Sequence, residues 1–181
     1  KQVIDTLQKN DGWGSTVFIS DEQDELLDTG GGLLKAKPFF IPGEPFLTCN
    51  VDILTDLDIN KLIAFHNNNK PLVSFGITDR KTSRYMLFDK DDRLCGWRNT
   101  KTGEEKIPLA HKNLVEKAYS CVVMFEYGIF DQINFTGKFS LIDVYLDIAA
   151  RQKVLGYDHT GNRWVDVGRV ESVEVAESLF P

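Results

Sequence analysis

Pro45-Phe46-Leu47-Thr48-Cys49-Asn50-Val51-Asp52 reads as a short buried strand that follows the Pro42-Gly43 turn and ends on an acidic residue. In open α/β sheets ligands collect outside the carboxyl ends of strands, which places Asp52 where chemistry is done. A carboxylate there can hold Mg²⁺, a hard cation that takes oxygen ligands and bridges to substrate phosphates. It can equally cap the following turn, where Asp is favoured.

Working outward, strand and helix patterns alternate. Toward the N-terminus, Val3 to Leu7 has helical apolar spacing without an N-cap ahead of it. Thr16-Val17-Phe18-Ile19-Ser20 reads as a short buried strand, and the acidic stretch 21–28 leads into Thr29-Gly30-Gly31-Gly32, read as a loop whose backbone can approach a ligand closely. Residues 33–40 begin as a helix. Beyond Asp52, Ile59 to Asn69 suits a short helix ended by an Asn run, and Leu72 to Thr78 a strand. Arg84 to Ile107, broken at Asp91-Asp92 and Thr102-Gly103, has the pattern of an antiparallel excursion with tight turns. Tyr119 to Phe125 is a further strand. Leu141, Val144, Tyr145, Ile148 and Ala149 recur at helical spacing, with Arg151 and Lys153 near the helix end. Strands at 154–157 and 163–165 and a last helix through Ala176 close an α/β layered fold. No repeat or linker divides the 181 residues, so one domain spanning 1–181 is expected.

Composition removes several functions. A net charge of −6 is contrary to a nucleic-acid-binding surface. No apolar run approaches the roughly 18 residues of a membrane span. The three cysteines, Cys49, Cys95 and Cys121, have neither a disulfide framework's nor a zinc site's spacing, which fits a reducing cytoplasm. His66, His111 and His159 share no metal spacing and are expected in surface or loop positions. The triple glycine lacks the Gly-Lys-Ser/Thr of a phosphate loop, and Gly12-Trp13-Gly14-Ser15 lacks the strand that precedes a dinucleotide fingerprint. Trp164-Val165-Asp166-Val167-Gly168 repeats the theme of an acid leaving a short strand, Asp166 being either a metal ligand or the N-cap of the next helix.

The ordered set Leu27-Asp28-Thr29-Gly30-Gly31-Gly32, Pro45 to Asp52 and Trp164 to Gly168 resembles the sugar-1-phosphate nucleotidyltransferases, in the branch of mannose-1-phosphate guanylyltransferase-like and N-acetylmuramate-1-phosphate uridylyltransferase-like proteins. The resemblance runs over nearly the whole chain. It implies a Rossmann-like, GT-A-like mixed sheet flanked by helices, and formation of a nucleotide sugar and pyrophosphate from a nucleoside triphosphate and a sugar 1-phosphate. The catalytic carboxylates would be Asp52 and Asp166, holding Mg²⁺. Gly30, Gly31 and Gly32 would line the nucleobase, with Thr29 and Asn50 also on the nucleotide. Arg84, Trp97, Asn99 and Lys138 would face the sugar phosphate, Lys138 in a segment, Gly137 to Asp143, that resembles the family's approach to the helix beside the sugar. A cytoplasmic enzyme supplying cell-envelope polysaccharide synthesis, with no membrane or nucleic-acid partner and able to form a homo-oligomer, is the expectation.

Two departures accompany the match. No loop of the form Gly-x-Gly-Thr-Arg-x-x-Pro-x-Thr occurs, so the fold is expected to lack its first strand, loop and helix and to turn over weakly. Tyr119-Ser120-Cys121-Val122-Val123 stands where the family often has a glycine-containing strand along the sugar. A GT-A-type glycosyltransferase and a non-catalytic nucleotide-sugar-binding homologue are the alternatives.

Overall fold

The structure, a computed structural model, describes residues 2–181. In chain order its elements are α1 (Gln2–Lys9), α2 (Asp28–Ala36), β1 (Phe46–Cys49), β2 (Ile53–Thr55), α3 (Ile59–Asn69), β3 (Val73–Thr78), β4 (Arg84–Phe88), β5 (Leu94–Asn99), β6 (Glu105–Lys106), β7 (Val115–Phe125), α4 (Leu141–Ala149), β8 (Val154–Asp158), β9 (Trp164–Asp166) and α5 (Glu171–Leu179). Seven strands form one mixed sheet in the order β6-β5-β4-β7-β3-β8, with β1 also on β7, and β2 pairs with β9 in a separate ribbon. The long β7 organises the sheet. One edge runs antiparallel to β3, and the other is shared between β4 along its first half and β1 along its second. β8 joins β3 in parallel.

Successive side chains of a strand face opposite sides of a sheet, and β7 uses both. Val123 and Phe125, with Val73, Phe75 and Ile77 of β3, pack on Val144, Tyr145 and Ile148 of α4. Val122 and Met124 face the other way, onto Leu62 of α3. Full burial of each such side chain contributes about 1.5–3 kcal/mol, so the two clusters fix the helical layers. The helices start where the sequence supplies caps. Asp58 accepts from the Asn60 and Lys61 N–H groups ahead of α3, and Ser140 from Ile142 ahead of α4.

The mixed sheet flanked by helices is the expected architecture, and most elements fall within a residue or two of their expected bounds. Residues 16–20 form no strand: Val17, Phe18 and Ile19 are exposed, and Phe18 stacks on Phe39 instead, with ring centroids 5.6 Å apart. The expected loop at Gly30-Gly31-Gly32 is the first half of α2. β1 stops at Cys49, so Asp52 lies in the turn between β1 and β2 rather than on the end of a strand.

Against the surface or loop positions expected, His66 is buried within α3; His159 does lie in the loop after β8, but it too is buried. His66 Nδ1 lies 2.7 Å from Ser74 Oγ and its Nε2 3.2 Å from Glu126 Oε1. Burial lowers the His66 pKa, with Glu126 working in the opposite sense. His159 Nε2 meets Ser120 Oγ at 2.8 Å. Both serve the core as polar cross-ties.

Candidate functional site

The two motif carboxylates converge through the small ribbon. β2 and β9 run antiparallel with Ile53 opposite Asp166, and Val167 N–H donates to the Asp52 carbonyl at 2.8 Å. Around them the chain turns tightly, with Ile53 N–H donating to the Asn50 carbonyl. A methyl group added to Gly168 would lie 2.9 Å from Asp52 Oδ2 and 3.0 Å from Asp166 Oδ1, so both oxygens border a space that only a side-chain-free residue leaves open. Asp166 Oδ1 accepts from Gly168 N–H, and α5 begins only at Glu171 behind Val170, so Asp166 is not that helix's N-cap. No salt bridge to Asp52 or Asp166 is found among the described residues.

The thiols alongside register the field of the carboxylates. Cys49 is raised above the usual thiol value by burial and then by Asp52. Cys121 is pushed to about 12, chiefly by burial, with Arg80 acting against the rise and Asp52 and Asp166 adding to it. Among the described residues no group of three or more His, Cys, Asp and Glu is placed to hold a metal. Magnesium is commonly held by one or two carboxylates, with water and substrate phosphate completing its shell. The open space at Gly168, bordered by two unpaired carboxylates, fits that donor set.

Beside this pair lies a cleft of two chambers that share Asp28, Thr29, Asn50 and Leu141. The larger, about 690 Å³, is bounded by Gly32, Asn50 and Lys138 and runs along β1, whose outer edge has no strand partner among the described residues. The smaller, about 400 Å³, is bounded by Arg80, Arg84, Trp97, Tyr119 and Cys121. Asp52 and Asp166 lie off both chambers, past the Asn50 rim.

The expected residues divide between these places. Thr29 and Asn50 sit at the junction, Gly32 and Lys138 in the larger chamber, and Arg84 and Trp97 in the smaller. Lys138 is therefore separated from the residues it was grouped with. Asn99 borders neither chamber: it pairs with Arg84 across the β4–β5 ladder, and its Oδ1 accepts from Lys101 N–H in the hairpin turn. Gly30 and Gly31 are buried with their N–H groups directed at the Phe139 carbonyl, at 2.9 and 3.3 Å. A methyl group on Gly30 would come within 2.4 Å of the Phe139 ring, and one on Gly31 within 2.4 Å of the Gly137 carbonyl. These two glycines admit the segment 137–139 to the helix. The Thr29 hydroxyl continues the same seam by accepting from Leu141 N–H.

Arg80 and Cys121 belong to the site and were not among the expected residues. Val123 pairs with Phe75 but Tyr119 with Ile77, so the intervening residues of β7 bulge out opposite Gly76. Cys121 at the bulge has φ of 60°, a left-handed conformation that costs a residue with a side chain about 1–2 kcal/mol. The carbonyls freed by the bulge are taken by Arg80 at Tyr119, by Trp164 Nε1 at Ser120 and by Asn50 N–H at Cys121. A glycine at 121 would have signalled this backbone; cysteine gives no such sign.

No family model matches the chain. It is 25% identical over 179 residues to N-acetylmuramate alpha-1-phosphate uridylyltransferase of Neisseria meningitidis serogroup B, covering 99% of this chain and 73% of that protein. It is 24% identical over 165 residues to mannose-1-phosphate guanylyltransferase catalytic subunit beta of Drosophila melanogaster, covering 90% of this chain and 42% of the relative. Among solved structures, HddC from Yersinia pseudotuberculosis complexed with GMP-PN matches with a TM-score of 0.72 at 19% identity, over 99% of this chain and 74% of that one. The curated relatives support the likeness read from the three motifs, and the structural match carries the fold.

Proposed function

We propose that the protein is a sugar-1-phosphate nucleotidyltransferase, with the nucleotide in the larger chamber, the sugar phosphate in the smaller, and Mg²⁺ on Asp52 and Asp166. The observation that carries this reading is the carboxylate pair held open at Gly168 beside a cleft of two joined chambers. The relatives named above point to the same reaction class.

In this reaction an oxygen of the sugar 1-phosphate forms a bond to the α-phosphorus of a nucleoside triphosphate while the bond to pyrophosphate breaks. The protein's contribution is positioning and charge neutralisation. Asn50 and Thr29, at the junction, set the two substrates end to end. Arg84 and Lys138 bring positive charge to a protein that is otherwise acidic. When bound, Mg²⁺ offsets the negative charge of two phosphorylated substrates. No Gly-x-Gly-Thr-Arg sequence occurs among the 181 residues, and turnover is proposed to need donors of that kind for the departing pyrophosphate in addition to the groups described.

Competition binding tests the reading. A nucleotide sugar should displace both a nucleoside triphosphate and a sugar 1-phosphate, because it spans the places of both. A protein that binds nucleotide sugar and nucleotide but no sugar 1-phosphate would instead be a glycosyltransferase.

A further inference from the structure

Two arginines without an ion pair among the described residues share one wall of the smaller chamber. Arg98 is paired with Glu105 and Glu116, Arg151 with Asp147, and Arg163 with Asp56. Arg80 and Arg84, both on the smaller chamber, form no ion pair among the described residues. Arg84 is exposed. Arg80 is built in: its Nη2 donates to the Tyr119 carbonyl at 2.5 Å, and its guanidinium lies on the Trp164 ring at 3.6 Å. Trp164 is itself anchored by its indole N–H on Ser120. The remaining Nη1 is buried and has no acceptor.

A buried N–H of a charged group left without a partner is costly, so its retention calls for a reason. Burial pulls the Arg80 pKa below the usual guanidinium value, with Cys121, Asp166 and Tyr85 pulling the other way. The location supplies the reason. Trp164 and Asp166, two residues apart on β9, share a face of the ribbon, and Arg80, stacked on Trp164, also lines the smaller chamber.

Resting on the functional reading above, we infer that Arg80 is a ligand of the phosphate of the incoming sugar 1-phosphate, a fixed donor that holds the nucleophile between the carboxylate-held cation and the sugar chamber. Its planar guanidinium suits a phosphate oxygen edge, and its stacking and carbonyl bond fix its direction before the substrate arrives. The exposed Arg84 lies on the same chamber.

The test is calorimetric titration of the wild type and Arg80→Lys with α-mannose 1-phosphate, inorganic phosphate, and UMP or GMP, all with Mg²⁺. Lysine keeps the charge and can still reach the Tyr119 carbonyl, and melting temperature reports whether it folds. We expect about tenfold weaker binding of α-mannose 1-phosphate and phosphate, the loss typical of one charged hydrogen bond, with nucleotide binding unchanged. Unchanged sugar-phosphate binding, or an equal loss for the nucleotide, overturns the inference alone. Failure of the wild type to bind any sugar phosphate overturns the functional reading and this inference with it. If the variant does not fold, phenylglyoxal modification of wild-type Arg80, followed by peptide mass mapping, decides: protection by α-mannose 1-phosphate supports the inference, and none overturns it.

Discussion

At the residue scale, what matters most is which atoms are free. Asp52 and Asp166 could be read as either metal ligands or caps, because both uses put an acid at the end of a strand or turn. The folded chain removes the helix-cap reading of Asp166, since α5 starts too late for it, and it sets the two carboxylates on one space. Gly168 makes that space, and nothing in the Trp164 to Gly168 pattern alone assigns the glycine a role beyond a turn. Gly168→Ala is expected to fold normally, because the atoms its methyl group meets are carboxylate ends that can swing aside. Swinging them aside splays the proposed cation ligands, and Mn²⁺ binding, read by paramagnetic relaxation, should weaken about ten- to a hundredfold. Arg80 escaped the sequence reading for a different reason: its partners are one backbone carbonyl, that of Tyr119 beside a bulge at a cysteine, and the Trp164 ring, and a bulge of that kind has no side-chain signature.

At the element scale, helices with apolar spacing were legible, and the structure adds their caps. Asp58 and Ser140 mark the starts of α3 and α4, and the Leu141 to Ala149 stripe is the face that meets β3 and β7. The failures are also physical. Residues 16–20 have strand-forming side chains but no ladder partner, and β propensity alone does not make a strand. The triple glycine is a poor helix former in isolation, yet close packing against 137–139 overrides its propensity. These opposing effects can be weighed directly in Gly30→Ala. Alanine gains about 1 kcal/mol of helix propensity, while overpacking against Phe139 costs about 1–3 kcal/mol. With a contact of 2.4 Å to the ring, packing should win, and urea denaturation should show net destabilisation. A neutral or stabilised variant would mean that α2 moves freely on Phe139.

At the scale of the whole molecule, a chain of net charge −6 places Arg80 and Arg84, neither in an ion pair among the described residues, on one cleft and sets two carboxylates just past its rim. That opposition of charge is what a reaction between two phosphorylated substrates and a divalent cation requires. The sheet order provides it, because β1 and β7 bring the Asn50 turn and the Cys121 bulge side by side, while β9 delivers Asp166 through the separate ribbon. Such long-range placement was legible only through the resemblance, since no local pattern says which strand ends meet. The most direct measurement is calorimetric titration of a nucleoside triphosphate with a sugar 1-phosphate present, with and without Mg²⁺, on the wild type and on Asp166→Asn. Binding that depends on Mg²⁺ in the wild type, and is lost in a normally folded Asp166→Asn, is the predicted result; Mg²⁺-dependent binding that survives the substitution would contradict it.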